Sequence, residues 1–214
     1  MNPVMRRIRS KHRSLRPAIL QRLTEFQTLW AGADDKALFR ELAFCLFTPQ
    51  ASAERCWETV LRLEEKDLLF HGKPEAIAPK LRKIRFLHTK ARRLAEARAL
   101  FFGPRRKGIR TSLEGKSSEE ARDWLVEHVK GIGYKEAGHF LRNIGLAFDL
   151  AILDRHVFRI MQEAGYLTEI PNSLTRKRYM ELEQVMKRFA RDLRIPLAEL
   201  DLTLWAMGAG SVFK

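Results

Sequence analysis

The chain is 214 residues long and 45% apolar, enough to fold as one large or two small domains, which excludes a disordered tail. It carries 40 Lys and Arg against 26 Asp and Glu, a net charge of +14. Such an excess favours a polyanion that releases counterions on binding, so nucleic acid is the first candidate partner and an anionic membrane surface the second; a merely solvated basic surface is the plainest reading. Two cysteines, Cys45 and Cys56, are too few for a four-cysteine metal site and do not suggest a disulfide scaffold. No stretch approaches the ~20 apolar residues of a membrane span, and no signal-like segment follows the basic start, so a soluble cytoplasmic protein is expected.

Residues 5–16 form a basic opening, read either as a strip along a phosphate backbone or as a frayed terminus. From there Leu15, Ile19, Leu23, Phe26 and Trp30 recur at three- and four-residue steps and mark an amphipathic helix. Gly32 and Asp34 punctuate the chain. A more apolar helix follows through Leu38, Leu42, Cys45 and Leu46, ending near Thr48-Pro49 because proline disfavours helical geometry in the residue before it. Ser52 reads as the cap of a helix carrying Cys56, Trp57 and Val60. Short proline-broken pieces fill 64–85. A basic helix around 87–101 is expected to turn Ala91, Leu94 and Ala95 inward and Lys90, Arg92 and Arg93 outward.

Residues 103–110 (GPRRKGIR) read as an exposed basic loop, and Ser117 with Glu120 as a capping box opening a helix that reaches His128. Past residue 155, Val157, Ile160 and Met161 belong to a helix that breaks near Gly165. Pro171-Asn172 is a loop, Tyr179, Leu182, Val185, Met186 and Phe189 mark a long helix, and a final helix follows Pro196. Strand-type alternation is almost absent, so the fold class is all-α.

Between these lies the stretch that carries chemistry. Val129-Lys130-Gly131-Ile132-Gly133 joins two helical segments through a turn too tight for ordinary side chains. Its amides, leading into a helix N-terminus, suit a phosphate oxygen, and Ile132 is expected to point inward. This is the helix-hairpin-helix pattern, which grips DNA by its backbone without reading sequence. Alone the glycine pair is a weak sign; the net charge strengthens it.

The segment Gly131-Ile132-Gly133-Tyr134-Lys135-Glu136-Ala137, followed by Leu153-Asp154-Arg155-His156-Val157-Phe158-Arg159, resembles the helix-hairpin-helix–Gly/Pro–Asp superfamily of DNA glycosylases. The lysine and aspartate stand 19 residues apart, as in those enzymes. The likeness to endonuclease III stops at its iron–sulfur loop, whose cysteines are absent here. A short chain without that cluster, ending in lysine, is most similar to the archaeal-type (type 2) 8-oxoguanine DNA glycosylase/lyases.

The resemblance implies that Asp154 stabilises an oxocarbenium-like transition state and that Lys135 attacks the sugar's C1′ to form a Schiff base, after which β-elimination nicks the strand. The plainer alternatives are a phosphate contact for Lys135 and a helix cap for Asp154. Asp149 is a rival carboxylate without the following His-Val. His156 is expected to contact a phosphate near the extruded nucleotide, or else to be a structural histidine. Gln50, in Leu46-Phe47-Thr48-Pro49-Gln50, resembles the gap-filling amide of the superfamily, needed because the target nucleotide is flipped out of the duplex. Phe86 can stack on a base, although a core phenylalanine is the plainer reading. Trp205 and the terminal Lys214 match the pair that lines the base pocket in archaeal-type enzymes, where the terminal carboxylate accepts from the N7–H that 8-oxoguanine has and guanine lacks; the plainer alternatives are a core tryptophan and a disordered terminal lysine.

The implied architecture is two helical subdomains flanking a DNA-binding cleft: 31–146 carrying the hairpin, and 1–30 with 147–214. The implied protein is a monomer acting on double-stranded DNA containing 8-oxoguanine, near the nucleoid of a prokaryotic cytoplasm, with no membrane contact and no cofactor. No catalytic metal is expected, although the hairpin carbonyls suit a structural monovalent cation. Two other readings stay open: a glycosylase/lyase for an oxidised pyrimidine, and a non-catalytic DNA-binding module.

Overall fold

The computed structural model of the chain describes residues 2–104 and 106–214. Among the described residues there are twelve α-helices, one 3-10 turn and no strand. None of these helices is long and apolar enough to cross a membrane. The chain divides into two compact units, Leu29–Phe140 and a second made of the residues up to Thr28 with Leu141–Lys214.

In the Leu29–Phe140 unit the organising element is α2 (Asp35–Phe47), in which every residue from Glu41 to Phe47 is buried. Asp34 starts it, its carboxylate accepting from the Ala37 amide at 2.9 Å. Against it pack α3 (Ala53–Glu65), α6 (Leu87–Phe102) and α7 (Gly108–Leu113). The short α4 (Leu68–His71), α5 (Pro74–Ile77) and the 3-10 turn Ala78–Lys80 connect α3 to α6. Phe39, Phe70 and Phe102 form a cluster with centroids 5.2 to 5.9 Å apart, Phe102 edge-to-face against the other two rings. The unit closes with α8 (Ser118–His128), opened by the expected reciprocal box: the Ser117 amide donates to Glu120 and the Glu120 amide to the Ser117 hydroxyl.

Three readings of the sequence are corrected here. The run 103–110 is not all loop: α7 begins at Gly108 and Ile109 is fully buried, because the Arg110 amide is held by Asp35 at 2.8 Å. Arg105 lies outside the described residues. Ser52 occupies the N-cap of α3 without capping it; its hydroxyl donates to Glu54 instead. Lys90 is buried, not outward, for a reason given below.

The second unit contains α1 (Pro3–Gly32, up to Thr28), α10 (Arg155–Glu163), α11 (Arg176–Leu193) and α12 (Leu197–Ala209), with α12 packed on α10 and α11. The basic opening is neither frayed nor a free strip. It forms the first turns of one continuous α1, in which Ile8 is fully buried. Arg9 donates to the carbonyls of Leu193 and Asp192 at 3.0 Å each, satisfying the C-terminal end of α11. His12 and Arg16 converge on the buried Glu199 of α12, at 2.7 and 3.3 Å. Deeper in the unit, Arg142 pairs with Asp201 and donates to the Asn143 side-chain oxygen. Both charges are nearly sealed from water, so the pair stands only because its remaining donors are also engaged.

Candidate active site

The helix-hairpin-helix is built from α8, residues 129–133 and α9 (Tyr134–Asn143). Ile132 is 5% exposed and anchors the turn, its amide donating to the Val129 carbonyl at 3.1 Å. Gly131 has φ +94°, a left-handed conformation that favours glycine, and a Cβ there would lie 2.4 Å from Arg93 Cδ and displace that side chain. Gly133 does not use the left-handed region; it leaves room for the Glu136 carboxylate, 3.2 Å from where its Cβ would be.

Lys135 stands in the first turn of α9 with its side chain only 25% exposed. Its Nζ lies 3.0 Å from Glu136 Oε1, a carboxylate to which the sequence reading assigned no role. Glu136 is itself 15% exposed, so water screens the pair weakly.

A second lysine, also missed, lies behind this turn. Lys90 is 2% exposed and donates to the carbonyls of Phe47 and Pro49, both at 2.7 Å. Those carbonyls sit at the C-terminal end of α2, where no intrahelical donor exists. Loss of solvation holds the Lys90 ammonium below its ordinary pKa of 10.5, and the positive charges of Arg93 and Lys135 act in the same direction. The turn it clamps carries Gln50, which is exposed with φ +58°. A non-glycine residue in that region costs on the order of 1 kcal/mol or more and persists because its neighbours over-determine it. Phe86, another residue with positive φ (61°), is 56% exposed and so is not core.

In the other unit, Asp154 is the N-cap of α10. One carboxylate oxygen accepts from the Val157 amide at 2.8 Å. The capping reading is thus realised, and it fixes the carboxylate at the N-terminus of α10. Asp149, the rival, is exposed. His156, two residues past Asp154, shares its Nε2 with the Leu204 carbonyl of α12 at 3.0 Å. Trp205 follows Leu204; its indole N–H is buried and has no hydrogen-bond partner among the described residues. Phe213 and Lys214 end the tail beyond α12, both half-buried. No cluster of three or more His, Cys, Asp or Glu suited to a metal ion occurs among the described residues.

Residues 19–195 match a family model described as 8-oxoguanine DNA glycosylase. The chain belongs to that family. An 8-oxoguanine DNA glycosylase/AP lyase of Fusobacterium nucleatum is 37% identical over 197 residues, 91% of this chain and 90% of the relative. That of Methanocaldococcus jannaschii is 34% identical, with 95% of each chain covered. Among solved structures, the 8-oxoguanine DNA glycosylase of Thermotoga maritima superposes with a TM-score of 0.86 at 33% identity, covering 98% of both chains. The M. jannaschii glycosylase/lyase in complex with a 15mer DNA containing 8-oxoguanine gives 0.84 at 32% identity, over 96% of this chain and 99% of that one.

For a member of the 8-oxoguanine DNA glycosylase family, the placements group as follows. The Leu29–Phe140 unit holds Gly131, Gly133, Lys135, Gln50 and Phe86; the other holds Asp154, His156, Trp205 and Lys214. Lys90 and Glu136 join the first set. Their signal in the sequence was slight: Lys90 falls on the outward face of its helix pattern, and Glu136 merely adjoins the lysine on α9.

Proposed function

We propose that this protein is a bifunctional 8-oxoguanine DNA glycosylase and abasic-site lyase, acting as a monomer on duplex DNA in the cytoplasm. The observation that carries the proposal is Lys135 itself: a largely buried amine in the first turn of the helix that follows the hairpin, 3.0 Å from a carboxylate, in a chain of this family.

The amine must be neutral to attack, and Glu136 is the nearest group able to take up its proton. Nζ then bonds to C1′ of the flipped nucleotide while the bond from C1′ to the base breaks, and the base leaves with the bonding pair. Positive charge builds on the sugar meanwhile, and the Asp154 carboxylate offsets it. Opening of the sugar ring gives the Schiff base. Loss of a C2′ proton and expulsion of the 3′ phosphate complete the strand nick.

The base is read by Trp205 and the terminal carboxylate of Lys214, which accepts from the lesion's N7–H. The unpaired indole N–H of Trp205 supports this assignment, since a buried unsatisfied donor costs about 1–3 kcal/mol that a bound carbonyl would offset. Gln50 fills the vacated stack and Phe86 packs on a neighbouring base, both being exposed on turns of left-handed backbone. Gly131 and Gly133 open the hairpin amides to a phosphate, and His156 braces α12, which carries Trp205.

Borohydride trapping on a duplex with 8-oxoguanine opposite cytosine tests the reading. The wild-type chain should yield a covalent adduct that Lys135→Gln abolishes. Adduct formation only with an oxidised pyrimidine, or with no lesion at all, would overturn it.

A further inference from the structure

One strongly charged feature of the Leu29–Phe140 unit is left unused by that chemistry. Between α3 and the segment at 79–83 runs an open groove of about 540 Å³. Six cations line it: Arg55, Arg62, Lys66, Lys80, Arg82 and Lys83, with Glu58 the one acid among its lining residues. All six cations are exposed, and among the described residues none of them is ion-paired. Arg62 alone makes a side-chain hydrogen bond, to the Thr59 hydroxyl. Six cations gathered with a single acid cost self-repulsion, which a polyanion relieves.

The geometry favours an extended polyanion over a single small one. From Arg55 to Lys66 the chain climbs about 16 Å at ~1.5 Å per residue, the axial length of about five phosphates of one DNA strand. The groove is open and its donors are splayed along it, whereas a site for one isolated anion converges buried donors on a point. Both walls also continue into segments assigned above to the lesion. Arg55 follows Gln50 by five residues, and Lys83 precedes Phe86 by three. Lys83 and Phe86 share positive φ (67° and 61°), so the backbone that presents the lysine and the backbone that presents the aromatic ring are shaped by the same irregular segment.

We infer that this groove docks the phosphate backbone of the duplex flanking the lesion, a second DNA footprint separate from the hairpin. The inference rests on the glycosylase reading above. It assigns the groove residues to affinity and salt dependence, not to recognition of the damaged base, because phosphate contacts carry no sequence information.

The test uses the full chain and two duplexes with 8-oxoguanine opposite cytosine, one long and one trimmed to the immediate flank of the lesion. The slope of log affinity against log salt is measured for the wild type, for Arg62→Gln/Lys80→Gln/Lys83→Gln, and for Lys177→Gln/Arg188→Gln/Arg191→Gln, which removes the same charge from exposed positions of α11. Each lost phosphate contact lowers the slope by about 0.9, so the groove variant should lose about 2 to 3 on the long duplex. On the trimmed duplex it should match the wild type, and the α11 variant should match it on both. A double variant, Lys80→Gln/Arg82→Gln, should lose about 1 to 2 on the long duplex, which guards against one variant folding poorly. Equal losses in the groove and α11 variants, or a loss unaffected by trimming, would overturn the groove assignment. If the wild type traps on the lesion and the groove variant keeps its slope, only the groove falls; if the wild type neither binds nor traps, the glycosylase reading falls first.

Discussion

His156 Nε2 lies 3.0 Å from the carbonyl of Leu204, so the first turn of α10 is bonded to α12 one residue before Trp205. The imidazole also occupies the space beside Gly208, where a Cβ would come within 3.0 Å of Nε2. The helix that carries Asp154 at its cap is thereby braced against the helix that carries the indole. Gly208→Ala should push the ring aside, and His156→Ala should remove the brace. Each should destabilise the fold by about 1–2 kcal/mol in urea unfolding, as expected for a lost hydrogen bond with imperfect repacking. Each should also narrow the preference for 8-oxoguanine over guanine in single-turnover excision.

Lys90 should prove more costly. Lys90→Met fits the volume but removes both charge-assisted hydrogen bonds to the carbonyls of Phe47 and Pro49. The loss should be on the order of 3 kcal/mol, because the carbonyls stay buried without donors. The Gln50 turn should relax in consequence. A fluorescent base placed opposite the lesion should report slower or incomplete flipping, with the hairpin's affinity for undamaged duplex retained.

Cys56 gives a prediction in pH. Burial raises its thiol from 9.0 to about 11, partly opposed by the positive charges of Lys90 and Arg55. Above pH 9.0 the unfolded chain releases this proton while the folded chain keeps it, so the thiol's contribution to stability is whole below pH 9.0 and is lost as pH rises towards 11. A shift of this size corresponds to about 2–3 kcal/mol. Denaturant unfolding between pH 8 and pH 11 should show a smaller alkaline loss in Cys56→Ala than in the wild type.

The Arg142–Asp201 pair is the sharpest test of the second unit's core. Asp201→Ala leaves a guanidinium that is 4% exposed facing the Asn143 oxygen and the Phe26 ring in place of a counter-charge, and should cost about 3–5 kcal/mol. Adding Arg142→Met should restore most of that loss. If the double variant is no more stable than the single one, the charge left unpaired is not the cause.

The all-α class, the capping box at Ser117 and the helix starting after Asp154 were legible in the sequence, because each depends on residues within a turn or two of one another. The hairpin was legible for the same reason: its glycines, its inward Ile132 and the lysine beyond it are local chemistry. What the tertiary structure decided was where partners come from afar. Lys90 reads as a solvated cation on a basic helix until the end of α2, some forty residues earlier, presents carbonyls with no other donor. Arg9 and His12 read as a loose basic start until α11 and α12 supply acceptors from the far end of the chain. The six-cation groove combines α3 with the end of the 3-10 turn and the residues just after it, so no single periodicity reveals it. Helical pattern states which face of one element seeks burial; it cannot state whose unsatisfied groups that face will meet, because they belong to chain brought alongside only when the core closes.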